Sequence, residues 1–173
     1  VRGETHYVDD LPLREGTLFA AVFDSPCAHG RITRLDTSAA AAVEGVVAVF
    51  TAADVPGENQ IGSIIQDEVL LADDIVDYVG MPVALVVAET EAIARAARKH
   101  IVLELEELPP VLDAREAHAR ELFICPPRTF EQGHVDTAWD DCTAVVSGTA
   151  EMGGQEHTYL ETHASYVWPT EDG

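Results

Sequence analysis

Side chains able to do chemistry are densest between Gly153 and His163, in the run Gly153-Gly154-Gln155-Glu156-His157-Thr158-Tyr159-Leu160-Glu161-Thr162-His163. The Gln155 amide can donate a hydrogen bond to an oxo or carbonyl oxygen. Glu156 beside a ligand could take a proton or orient a neighbour. The two glycines would let backbone approach a bound group closely, or turn where other residues cannot. Polar side chains just past such a turn are often presented to a ligand. The same residues also suit a strand whose alternate polar groups face water. On residue chemistry alone that plainer account outweighs the site, because function must be argued from converging groups. His157 and His163 do not have the spacing of one helical face, so a metal held by them is not expected.

Elsewhere the reactive residue types are scattered. His6, His29, His100, His118 and His134 read as surface or hydrogen-bonded histidines. Cys27 lies beside Pro26 and close to His29, but a cysteine nucleophile needs a spatially paired base and an orienting third group. Cys27, Cys125 and Cys142 are far apart, odd in number and without a Cys-x-x-Cys pair. The sequence therefore predicts no disulfide framework and no zinc or iron–sulfur ligation by these residues, and a reducing cytoplasm as the setting. Glycine-rich nucleotide motifs, the serine-hydrolase elbow and the zincin helix motif are absent from the sequence.

The 173-residue chain is 47% hydrophobic but only 6% aromatic, so its core should be built of Val, Ala, Leu and Ile. Ten basic residues oppose 31 acidic ones, a net charge of −21, and Lys99 is the sole lysine. Such a surface repels phosphate backbones and anionic lipid, which argues against nucleic acid or membrane as partner. No apolar run approaches bilayer length. The first residues carry neither an initiator Met nor the apolar segment of a signal peptide, as in a chain that has been processed or cut from a longer one.

The elements that would position these groups follow from periodicity and punctuation. Residues 17–24, 31–36, 46–50, 83–88 and 101–105 read as strands. Residues 37–44 read as an Ala-rich helix capped by Asp36 or Thr37 and stopped at Gly45. Residues 90–100 read as a helix capped by Thr90, with cations near its C-terminal end. The strand–helix–strand unit 83–105 is long enough for a right-handed parallel crossover. Asp113 with Glu116 resembles a capping pair for a short helix to Ala119. Residues 57–68 read as a loop, and a short helix is expected from about Val135 to Trp139. Residues 143–152 and 156–168 alternate as strands. The fold class is therefore α/β (α+β), a mixed-sheet domain with a βαβ unit. The expected organisation is a first domain over 1–120, a linker with a short helix over 121–142, and the start of a second domain over 143–173. An unpaired strand edge at 156–168 would invite self-association.

Eight segments, in order, resemble the xanthine dehydrogenase and aldehyde oxidase family, the molybdenum hydroxylases. They are Tyr7-Val8-Asp9-Asp10-Leu11-Pro12, Ser25-Pro26-Cys27-Ala28-His29-Gly30-Arg31-Ile32, Asp36-Thr37-Ser38-Ala39-Ala40, Gly45-Val46-Val47-Ala48-Val49, Thr51-Ala52-Ala53-Asp54-Val55-Pro56-Gly57, Tyr78-Val79-Gly80-Met81-Pro82-Val83-Ala84, Glu107-Leu108-Pro109-Pro110-Val111 and Gly153-Gly154-Gln155-Glu156-His157. Each alone is weak; the ordered series is strong. The pattern is more like the xanthine dehydrogenase branch than the carbon monoxide dehydrogenase branch. The resemblance implies that 1–120 is the family's a/b hammerhead domain and that 143–173 begins its molybdopterin-binding domain.

The resemblance further implies a molybdenum–molybdopterin cofactor in the full-length protein, with the metal held by the cofactor and not by protein thiolates. It implies iron–sulfur clusters and FAD on partner domains or subunits, the remainder of the molybdopterin-binding subunit as a further partner, and purine as substrate, hydroxylated with oxygen from water. Aldehydes or other N-heterocycles are the alternative substrates, and a non-catalytic interaction module on the same scaffold is the alternative class. Gln155 matches the family glutamine that hydrogen-bonds near the metal's oxo ligand, with Gly153 and Gly154 giving the backbone room. The family's catalytic base lies beyond Gly173, so no catalytic residue is assigned in this chain and the chain alone should be inert. Two positions depart from the usual pattern: Thr158, where Phe is most frequent, and Cys27, where His is common.

Overall fold

The computed structural model describes residues 3–170; the ends of the expected domains at 1–2 and 171–173 lie outside them. The chain divides into two compact units, Leu13–Leu122 and the combination of Val1–Pro12 with Phe123–Gly173.

The Leu13–Leu122 unit holds strands β1 (Phe19–Asp24), β2 (Gly30–Asp36), β3 (Val46–Thr51), β4 (Ile75–Val76), β5 (Pro82–Ala88) and β6 (Val102–Glu107), with helices α1 (Ser38–Ala41), α2 (Glu91–Ala97) and α3 (Ala114–Ala119). The continuous apolar run β5 takes the centre of the first sheet, antiparallel to β1 and β3 on its two sides. In the second sheet β2 is central, antiparallel to β4 and β6.

The architecture is that of an α/β hammerhead, but two expected details change. Every strand pairing among the described residues is antiparallel, so neither sheet is mixed. The strand–helix–strand unit also closes no parallel crossover, because β5 and β6 lie in different sheets. The physical reason is visible in α2. Ala94 and Ala97 bury completely on the first sheet, and a 3₁₀ turn at Arg98–His100 then delivers the chain, through buried Ile101, to the second. There the register of β6 is set by β2, with Leu105 opposite Ile32 and Leu103 opposite Leu35.

The helices begin where local signals place them. Thr90 Oγ1 accepts from Ile93 N at 3.2 Å and caps α2. Asp113 Oδ1 accepts from Arg115 N at 2.8 Å and Glu116 N at 2.9 Å and caps α3. At α1 the anchor is Asp36, whose Oδ1 accepts from Ser38 N at 3.0 Å; Gly45, at φ +85°, turns the chain into β3. Left-handed backbone of this kind favours glycine.

The core is small and aliphatic, as the composition predicts. One cluster joins Ala40, Ala84, Val86, Ala97 and Ile101; another joins Ala72, Val76, Met81 and Val83. Phe23 and Leu35 pack against both, so the two clusters are continuous.

The second unit holds one short helix among its described residues, α4 (Val135–Ala138), followed by a 3₁₀ turn at Trp139–Asp141. Its N-terminal turn Val8–Asp10 is tied to the later chain by Val8 N donating to Glu161 Oε1 at 2.7 Å. The expected strands at 143–152 and 156–168 are not formed among the described residues. Alternation permits a strand, but order comes from ladder bonds to a neighbour. No described strand pairs with these stretches, and almost every residue in them is exposed. The expected strand edge at 156–168 is therefore not formed either.

Candidate functional site

Gly153, Gly154 and Gln155 lie in irregular, exposed chain. Neither glycine adopts left-handed backbone, and a Cβ added to either would meet nothing within 4 Å. The Gln155 amide has no hydrogen-bond partner among the described residues. Beside it, Glu156 Oε1 accepts from His157 N at 3.1 Å. Three rings follow: His157 and Tyr159 at 5.9 Å between centroids, and Tyr159 and His163 at 6.4 Å, edge to face. Residues two apart along extended chain share a side, which brings His157 to Tyr159. Tilted and edge-on pairs of this separation are the favoured aromatic geometries.

The first unit builds a different constellation at its Ser25–Gly30 turn. Ser25 is the one buried polar side chain among the described residues. Its backbone is fixed by Ser25 N donating to Met81 O at 2.9 Å and Gly80 N donating to Ser25 O at 2.8 Å. Its Oγ accepts from Cys27 N at 3.1 Å, and Cys27 Sγ donates to His29 O at 3.2 Å. A side chain at Gly30 would come within 3.2 Å of Glu106 O and 3.3 Å of Cys27 Sγ. The turn is thus held together internally, with Cys27 as a weak donor. His29 Nδ1 lies 3.2 Å from Val76 O and 3.4 Å from Asp77 Oδ1. Beside this pair is an open cleft of about 310 Å³ walled by Ala28, Pro109, Pro110, Leu112 and Leu122. The scattered histidines carry no sequence signal for this pairing, since Asp77 is distant in sequence.

Among the described residues no cluster of three or more His, Cys, Asp or Glu could hold a metal ion. No described helix is long and apolar enough to cross a membrane.

Comparison with known proteins decides between these features. Residues 2–109 match the family described as "Aldehyde oxidase and xanthine dehydrogenase, a/b hammerhead domain", and residues 116–173 match the molybdopterin cofactor-binding domain. The chain belongs to the xanthine dehydrogenase and aldehyde oxidase family. Within this oxidoreductase family, it is 40% identical over its full length to xanthine dehydrogenase 1 of Arabidopsis thaliana, covering 13% of that protein. It is 42% identical to aldehyde oxidase 2 of Rattus norvegicus, over 98% of this chain and 12% of that one. The chain thus spans about an eighth of the length of the curated relatives it matches. Among solved structures, it resembles the aldehyde oxidoreductase from Desulfovibrio desulfuricans at 34% identity and TM-score 0.59, covering 62% of this chain and 13% of that one. It also resembles CO dehydrogenase from Oligotropha carboxidovorans at 37% identity and TM-score 0.62, covering 66% of this chain and 15% of that one.

The cofactor that this family carries is molybdopterin with molybdenum, and the Gln155 segment falls inside the matched cofactor-binding region. Its chemistry suits such a group in one respect, the amide donor of Gln155. In another it does not: the open space around Gly153 and Gly154 shows that the described residues form no cradle there.

Proposed function

We propose that the chain is the N-terminal part of the molybdenum-binding portion of a longer molybdenum hydroxylase of the xanthine dehydrogenase type. The observation that carries this reading is the pair of consecutive family matches, hammerhead then cofactor-binding domain, which together span nearly all of the sequence. The domain division is hammerhead over 1–120, a linker with a short helix over 121–142, and the beginning of the molybdopterin-binding domain over 143–173. The full-length enzyme converts hypoxanthine and xanthine to urate. Each turnover adds one oxygen atom from water at a ring carbon and releases two protons and two electrons. The electrons pass through iron–sulfur clusters and FAD, on partner domains or subunits, to NAD or oxygen. The enzyme works in the cytoplasm.

In this reading Gln155 would be the residue that donates an amide hydrogen bond to the cofactor once the rest of the enzyme closes the site, and Gly153 and Gly154 would leave backbone room for it. The 173-residue chain alone is inert and binds neither molybdenum nor purine tightly.

A second reading, an aldehyde-oxidising enzyme of the same family, is favoured by the 42% identity to the rat aldehyde oxidase. Assay of the full-length protein with its iron–sulfur and flavin partners, in parallel on xanthine and an aromatic aldehyde, separates the two. Rapid urate formation with little aldehyde turnover supports the purine enzyme; the reverse moves it to the aldehyde branch. Activity on neither, in molybdenum-loaded protein, contradicts both.

A further inference from the structure

The two sheets of the Leu13–Leu122 unit treat water differently. The second sheet follows the usual rule for antiparallel sheets, one face apolar and one polar. Its outward residues Arg31, Arg34 and Glu104 carry ion pairs: Arg31 to Asp74 at 2.9 Å, and Arg34 to Glu104 at 2.8 Å and to Asp36 at 2.9 Å. The first sheet breaks the rule. Its inward face, with Ala84, Val86 and Ala88 on β5, is fully buried. The register places two further cross-strand rows on the opposite face, Ala20–Val87–Ala48 and Val22–Leu85–Phe50. Residues directly paired across strands share a face, so this outer face is apolar across all three strands. Val22 is 40% and Phe50 42% exposed, within the whole chain.

The ends of that face are acidic. Asp24 closes β1 and Asp54 lies just past β3 at the Leu85 end, and Glu44 and Glu89 flank β3 and β5 at the other. Arg98 stands at the β1 edge, donating to Val22 O at 2.6 Å and lying 3.6 Å from Asp24 Oδ1. That contact occupies an outward carbonyl of edge strand β1 and discourages strand addition there. What remains open is the face.

We infer that this outer face is an interface, and that its occupant is another domain of the same polypeptide, apolar at its centre and edged with Lys or Arg. The inference rests on the proposed reading of the chain as part of a longer enzyme. Three observations select the occupant. The relatives carry far more chain than the roughly one-eighth matched here. Six side chains are too few for a freely diffusing partner, since stable interfaces use about 20–30 residues a side; a covalently linked domain needs less, because linkage supplies effective concentration. A second copy would bring the same acidic rim on a chain of net charge −21, and like charges oppose that pairing.

Hydroxyl-radical footprinting with peptide mass spectrometry tests this on two samples, the 173-residue chain and the full-length protein purified with its molybdenum. Oxidation at Phe50, Val22 and Leu85 is expected in the short chain. In the full-length protein it should fall several-fold, because the core of an interface is packed as densely as a protein interior. Equal labelling in molybdenum-loaded full-length protein overturns the inference and leaves the functional reading intact. Protection in the short chain that grows with its concentration also overturns it, by making a second copy the occupant. A full-length protein that never acquires molybdenum undermines the functional reading instead, whatever the labelling.

Discussion

Replacing Gly45 by Ala tests the packing at the α1–β3 junction against a built-in control. Gly45 sits at φ +85°, and a Cβ there would meet Ile93 Cδ1 at 2.7 Å. Gly80 sits at φ +90°, and a Cβ there would meet nothing within 4 Å. Both substitutions force a side chain into left-handed backbone, at a cost of about 1–2 kcal/mol. Gly45→Ala must also displace Ile93, which packs against Ala21, Ala88 and Ala94. Overpacking of this kind adds about 1 kcal/mol, the low end for cores, because the obstructing atom is the end of a side chain. Gly45→Ala should therefore cost about 2–3 kcal/mol and Gly80→Ala about 1–2 kcal/mol. Ile93→Val removes the clashing methyl group, so in a double-mutant cycle the pair should be less than additive by about 1 kcal/mol. Urea unfolding followed by far-UV circular dichroism reads every variant against wild type. Equal costs for the two glycines, or strict additivity in the cycle, would refute the account of this junction.

Two further outcomes follow from the same structure. Val86→Ala, at the fully buried centre of β5, should cost about 2–3 kcal/mol from two lost methyl groups and the residual cavity; a loss below about 0.5 kcal/mol, the range of surface changes, would contradict its burial. The Asp36 carboxyl is held down to about 2 from its usual 3.8, first by the Ser38 hydroxyl, then by the Ser38 N–H and Arg34. A depressed carboxylate stabilises the fold fully above its unfolded value, and that contribution disappears as pH falls through about 2. Wild type should thus be more stable than Asp36→Asn at neutral pH, with the gap closing in strong acid; a gap that stays constant in urea titrations across that range argues against the bond network at α1.

Strands and caps are legible in the sequence because their signals are local. Thr90 and Asp113 announce α2 and α3 through side chains that bond within the next turn, and the apolar run of β5 announces a central strand. Pairing is not legible. Period-two alternation says which residues share a face but not which strand lies alongside, so the β5–α2–β6 unit suggests a parallel crossover where the chain passes between two antiparallel sheets. Ile75–Val76 escapes notice because a two-residue strand among carboxylates carries no period. The alternating stretches 143–152 and 156–168 mislead for the converse reason: alternation without a neighbour yields no ladder. At the candidate site, Gln155 stands out only through the ordered series of motifs. The His29–Asp77 pair joins residues from distant parts of the chain, and no spacing rule reaches that far.

The most direct test of the central claim is molybdenum content, measured by mass spectrometry on the full-length protein and on the 173-residue chain prepared from the same cells. The account predicts about one molybdenum per full-length protein, as for a closed cofactor site in the intact enzyme, and none above background on the short chain, whose Gly153–Gln155 segment stands open. Stoichiometric molybdenum on the short chain, or its absence from full-length protein made in cells that supply the cofactor, would contradict it.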